Sequence, residues 1–474
     1  MERTKKVGVV GLTFLILGAM TGASIFNLPA ILASGASTGA IILAWLLTGV
    51  GMFCLGMTFR SLSLLRPELT AGIYSYAHEG FGRFAGFEMA WGYWIAGVMS
   101  NIGYVVIALD TLEMFFPGAR LNLRLPMFIL GSVFMWGICA LCLMGIRAAS
   151  VLNIVANVGK YIPLFFFFCI VLFFFSIDAF VLDFWGKESA KFGSVFTQIK
   201  SSMLVTLWAF IGIEGAVVLS SKARKKEHVG IATMAGLFIS LFLCLSVSIL
   251  PQGVMRHEEV AGLATPSTAY VLQRLIGNWG AAVINIGVLL AIFGRWIAWT
   301  MMVAEVPAAA AEEGVFPKMF AKVNKREAPY VSLLTSGVLM QAGMVVVLVV
   351  EDVWAFVLDI TGIMVLPVYL SSALFLVKQS LNNKEDAGSR VSNGWRLLLG
   401  ISTAIFTTWI LFATKPEMFW LSSVLWGLGI GIFWQACKEE GGQPFRKGEI
   451  ACMFCLGVVA VAALVALHFG WLHV

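Results

Sequence analysis

Two long apolar segments of this chain are interrupted by runs that break a membrane helix. Gly18-Ala19-Met20-Thr21-Gly22-Ala23-Ser24-Ile25-Phe26 lies within the first, and Phe210-Ile211-Gly212-Ile213-Glu214-Gly215 lies within the sixth. Each interruption releases backbone N–H and C=O groups from the helical ladder. Hydrocarbon cannot pair with them, so they must line a cavity walled by protein. Interruptions at corresponding positions of two five-span halves are the sequence pattern of a transporter's solute site.

The setting for these breaks follows from composition. Of 474 residues, 59% are apolar and only 12% are charged, and the mean hydropathy is +0.90. A soluble domain carries about 25% charged residues, so charge here is too scarce to coat a water-facing surface. Apolar runs near 9–34, 38–59, 87–116, 126–146, 151–176, 198–220, 230–251, 280–309, 330–350, 354–377, 396–413, 418–436 and 450–470 are each read as a span. About 20 apolar residues cross a bilayer core. The expected class is an all-α integral membrane protein with 12–13 transmembrane helices, the last crossing being the open one. Arg3, Lys5 and Lys6 before an apolar run imitate a signal peptide, but a second span follows directly, so the run is read as an uncleaved first span.

The net charge of +6 does not point to nucleic acid, because the basic residues sit in short loops. The eight cysteines lie in or beside apolar runs. Cys139-x-x-Cys142 and Cys452-x-x-Cys455 have a redox or zinc spacing, yet no His or second pair accompanies either. The five His residues are scattered. No metal, no cofactor and no enzymatic acid–base cluster is expected.

Lys and Arg set the orientation. Twenty-two of the 32 fall at the N-terminus or in loops after even-numbered spans, eight fall on the other side, and Lys160 and Arg295 lie inside spans. The bias places the N-terminus in the cytoplasm of a multi-pass cytoplasmic (inner) membrane protein. Ten spans divide into residues 1–177 and 198–378, and 395–474 supplies the remaining helices. An odd-numbered repeat must lie inverted relative to its partner, because span 6 enters from the side opposite to span 1.

Chemistry concentrates at the breaks. The amides of Gly22, Ala23 and Ser24 open a half-helix whose N-terminal dipole favours a carboxylate. Carbonyls released by the preceding half-helix suit an ammonium, so one gap could hold both ends of an α-amino acid. Gly18-x-x-x-Gly22 also spells a helix-packing motif. Thr21 and Ile211, at the two interruptions, join the candidate substrate-binding set. Glu214 is an intramembrane carboxylate, which costs about 2.5–3.5 kcal/mol on insertion scales and marks a functional candidate. Trp208 could stack on a cation or simply pack.

Gly22-Ala23-Ser24-Ile25-Phe26-Asn27-Leu28-Pro29, Pro67-Glu68-Leu69-Thr70-Ala71-Gly72-Ile73-Tyr74-Ser75-Tyr76-Ala77, Trp91-Gly92-Tyr93-Trp94 with Asn101, Leu207–Gly215, and Glu312-Glu313-Gly314-Val315-Phe316-Pro317-Lys318 occur in this order. Together they resemble the amino acid–polyamine–organocation superfamily over about residues 5–440. The similarity is closest to its basic amino acid/polyamine antiporter branch, which includes arginine/ornithine and arginine/agmatine exchangers. The resemblance implies a LeuT-like five-plus-five inverted-repeat core with broken helices 1 and 6. It implies a carboxylate on the amides of Gly22, Ala23 and Ser24, and a guanidinium met by Asn101, Trp208 and Trp299. Tyr93 and Glu214 match an extracytoplasmic gate, and Tyr74 matches a cytoplasmic pH-sensing position.

Two departures stand out. The family's Gly-Ser-Gly reads Gly22-Ala23-Ser24, which moves the hydroxyl by one place. Gly294-Arg295-Trp296 puts a fixed guanidinium near a cation site, which requires neutralisation by Glu214 or a side chain that faces away or snorkels. Lys160 is expected to bridge spans 1 and 8 where sodium-coupled relatives hold an ion. The expected activity is exchange of a cationic amino acid, arginine first, for ornithine or agmatine. Lysine/cadaverine or histidine/histamine exchange, proton-coupled permeation and a non-transporting sensor are the alternatives. The expected partners are small cationic amino acids and amines and the lipid bilayer, with a homodimer left open.

Overall fold

In the computed structural model the described residues are 8–69, 73–121, 123–144, 159–187, 192–214, 226–382, 392–441 and 445–469. Thr70, Ala71, Gly72, Gly215, the start of the fifth expected span, the end of the sixth, and the loop residues 383–391 lie outside them. All regular elements among the described residues are helices.

In chain order they are α1 (Val9–Met20), a 3-10 segment (Ala23–Asn27), α2 (Leu28–Gly35), α3 (Thr38–Leu65), α4 (Ile73–Phe81), α5 (Arg83–Phe115) and α6 (Arg124–Leu143). There follow α7 (Tyr161–Phe173), α8 (Ile177–Val181), α9 (Val195–Trp208), α10 (Lys226–Ile249), α11 (His257–Ala261), α12 (Ser267–Ile276) and α13 (Asn278–Glu312). The chain continues through α14 (Tyr330–Gly343), α15 (Val346–Val349), α16 (Val353–Asn382), α17 (Asn393–Ala413), α18 (Pro416–Glu439) and α19 (Lys447–His468).

Among the described residues, ten helical stretches are long and apolar enough to cross a membrane, and three shorter apolar helices fall at the first and fifth expected spans. The second expected span, 38–59, continues as helix to Leu65. Hydropathy marks where lipid ends, whereas the helix stops only where its own ladder does.

Contacts gather the chain into two compact units. One comprises residues 1–56, 104–131 and 149–298, and the other 57–103, 132–148 and 299–474. Each unit therefore draws on both expected five-span halves, and α3, α5, α6 and α13 contribute residues to both.

Within the first unit, α2 is held at both ends by polar bonds. Asn27 Nδ2 donates to Thr265 Oγ1 at 3.0 Å, and Thr268 Oγ1 on α12 donates to the Phe26 carbonyl at 2.8 Å. His257 Nε2 on α11 lies 2.8 Å from the Ala33 carbonyl, one of the orphan acceptors at the end of a helix. The helices of this unit also approach closely: a Cβ on Gly287 of α13 would lie 2.3 Å from Pro163 Cγ of α7. Packing of this kind substitutes for the hydrophobic drive that lipid does not provide.

The second unit solves a proline problem. Pro307 sits inside α13 and has no N–H, so the Val303 carbonyl loses its helical donor. Ser336 Oγ on α14 lies 3.0 Å from that carbonyl and 2.8 Å from Ser332 O, which share its single proton. The same oxygen accepts Trp94 Nε1–H at 2.8 Å. Ser336→Ala should therefore lower stability by about 1–3 kcal/mol, the cost of stranding buried polar groups. Thermal unfolding of the detergent-purified protein should show the loss, while Ser371→Ala on the half-buried face of α16 stays near wild type.

Candidate functional site

The first break is built from two extended residues. Thr21 (φ −77°, ψ 97°) and Gly22 (φ −93°, ψ −170°) follow α1, and the 3-10 segment then leads into α2. Thr21 Oγ1 folds back to donate to the Leu17 carbonyl, which also keeps the last ladder bond from the Thr21 N–H at 2.9 Å. The second break follows α9. Bonds from Phe210 N to Leu207 O (2.9 Å), Ile211 N to Trp208 O (3.3 Å) and Ile213 N to Phe210 O (3.1 Å) tighten the chain into turns. Gly212 then takes φ +117°, a conformation that a residue with a Cβ rarely adopts.

The carbonyls released by these breaks meet two cations from the chain itself. Lys160, 2% exposed, donates from Nζ to Thr21 O and to Gly18 O at 3.4 Å. Arg295, 5% exposed, donates from Nη1 to Met20 O at 3.0 Å and from Nη2 to Ile211 O at 3.1 Å. One guanidinium thus joins both breaks to α13. The alignment suits the charge, because the carboxyl end of a helix such as α1 is partially negative.

Two tyrosines steady these cations. Arg295 Nε donates to Tyr104 Oη at 2.9 Å, and Tyr161 Oη lies 3.1 Å from Thr21 Oγ1 beside Lys160. Neither tyrosine is among the residues expected from the sequence. The signals were present: Tyr104 stands three residues after Asn101, Tyr161 follows Lys160, and the whole chain has only eight tyrosines.

Gly22 is sized for Arg295. A Cβ there would stand 2.6 Å from Arg295 Cδ and 2.7 Å from Nε. Glu214 is buried, and its Oε2 accepts the Gly212 N–H at 3.0 Å, bracing the second break. Ser24, Trp208 and Ile211 are buried in the same unit, at 5%, 3% and 1% exposure. Ala23 contributes its backbone to the 3-10 segment.

The remaining candidates belong to the second unit. Asn101 on α5 is fully buried, donates from Nδ2 to Gly97 O at 2.7 Å and accepts Thr300 Oγ1–H at 2.9 Å. Its neighbours Tyr93 and Trp299 form an aromatic pair with ring centroids 6.2 Å apart, and Tyr93 Oη lies 3.2 Å from Met302 Sδ. Tyr74 sits apart from these, on α4. Next to it, Ser75 Oγ donates to Glu313 Oε2 at 3.3 Å. Burial first, then Glu313 and Glu312, pushes the Tyr74 phenol well above its ordinary value. Burial likewise raises the Glu313 carboxyl, with the Ser75 hydroxyl opposing.

The amino acid permease family model matches residues 7–435. The chain belongs to this family. The permease is similar over nearly its whole length to bacterial antiporters. The arginine/agmatine antiporter of Chlamydia felis is 42% identical over 467 residues, covering 97% of this chain and 96% of the relative. That of Chlamydia pneumoniae is 39% identical over 479 residues, covering 99% and 98%. The permease is accordingly a multi-pass membrane transporter of the amino acid–polyamine–organocation superfamily with a LeuT-like fold, and not an enzyme.

Gly22→Ala places a methyl group against the Arg295 side chain. The permease should fold, but Arg295 must leave its carbonyls, and transport should fall at least tenfold in reconstituted vesicles.

Proposed function

We propose that the permease exchanges arginine for agmatine across a cytoplasmic membrane, using one site alternately open to each side. The observation that carries this reading is the 42% identity over 97% of the chain to arginine/agmatine antiporters. The 22:8 distribution of basic residues supports an N-terminus in the cytoplasm. On this reading the carboxylate and ammonium of arginine sit at the first break, and the guanidinium is received by Asn101 and the faces of Trp208 and Trp299. Tyr93 and Glu214 gate the outer side, and Tyr74 reports pH on the inner side. Arginine carries one positive charge and agmatine two, so each cycle moves one net charge, worth about 2.3 kcal/mol per 100 mV.

Proteoliposomes loaded with agmatine should accumulate labelled arginine, and empty vesicles should not. Exchange for ornithine at the same rate would move no net charge and would leave uptake indifferent to an imposed potential. If no amino acid or amine trans-stimulates uptake, the exchanger reading fails.

The ammonium of Lys160 at the Gly18 and Thr21 carbonyls supports exchange without sodium. Replacing sodium by choline should leave the rate unchanged. Lys160→Met should abolish most of it, about a hundredfold, because the released carbonyls lose their cation.

A further inference from the structure

The guanidinium of Arg295 runs directly beside Gly22, within 3.0 Å of where a Cβ would stand. Gly22 opens the amide run that receives a substrate's carboxylate on the proposed reading. Lys160, Arg295 and Glu214 are the charged side chains with described bonds at the two breaks, two positive and one negative. A site that simply welcomed dications would not carry this excess of built-in positive charge.

We propose that Arg295 is the residue by which the permease distinguishes an α-amino acid from its decarboxylated amine. This inference rests on the proposed exchange and names what sets the preference between its two substrates. An arriving carboxylate meets a planar guanidinium that can offer two parallel N–H donors, the geometry in which Arg pairs most strongly with carboxylates. The substrate's ammonium takes over the carbonyls of Met20 and Ile211 that Arg295 holds in the structure. A decarboxylated amine brings no anion to Arg295, so it meets like charge without compensation. The acid therefore binds more tightly, and the amine leaves more readily once it has been carried across.

The anchors on Arg295 fit this role. Tyr104 grips Nε, leaving the two terminal nitrogens as the end that changes partners. The backbone carbonyls are weaker partners than a carboxylate, because a charged acceptor shortens and strengthens the bond.

The test uses full-length purified permease and three ligands that share the guanidinium: arginine, argininamide and agmatine. Calorimetry on the wild type should show arginine bound at least tenfold more tightly than argininamide, which keeps the backbone shape without the anion. In Arg295→Gln that ratio should collapse to within threefold, and agmatine should bind as well as or better than in the wild type. Arg295→Lys, which keeps the charge but not the planar fork, should fall between. A purely structural arginine would weaken all three ligands alike and keep the ratio. Equal wild-type binding of arginine and argininamide overturns the inference even if the Arg295→Gln protein fails to fold. Failure of all three ligands to bind overturns the proposed exchange itself, and the inference with it.

Discussion

A peptide group left unpaired in hydrocarbon has nowhere to turn except to the protein. That constraint governs both breaks. Interrupting α1 after Met20 and the chain after Trp208 exposes carbonyls at Gly18, Met20, Thr21 and Ile211, and all four are met by Lys160 or Arg295. The same rule explains the smaller repair at Pro307, where a serine from the next helix takes the carbonyl that proline abandons. Irregular backbone and buried cations are thus two sides of one arrangement. Each would be costly alone, and each makes the other tolerable.

The use of cations from the chain has a chemical cost in specificity. Carbonyl dipoles that could coordinate a free ammonium already have occupants, so a substrate must compete with the protein for them. A substrate with an anion can compensate Arg295 directly. On the proposed reading, recognition falls at the backbone end of the amino acid as well as at its guanidinium.

Much of the architecture was legible in the residues. Gly18, Gly22 and Gly212 marked the breaks because a run of small residues cannot be explained by a continuous lipid-facing helix. The thirteen apolar runs correspond to the ten long apolar helices, the two broken spans and α7. The direction of Arg295 was not legible. Its choice between Glu214, solvent and the break carbonyls depends on where α13 lies against α1, which a one-dimensional pattern does not contain. Tyr104 and Tyr161 escaped for the same reason, since a tyrosine reads as an aromatic filler until its hydroxyl has a neighbour. The division into compact units was also invisible, because α3, α5, α6 and α13 each appear in sequence as one uninterrupted apolar run.

Lys160 and Arg295 do not dissociate when the cargo does. The unloaded transporter therefore keeps its own charges within the membrane's electric field. Any rearrangement that shifts those side chains along the field performs electrical work, even with the site vacant. Voltage then acts on the protein's own charges as well as on the solute, so the current of each exchange carries a contribution from the protein itself.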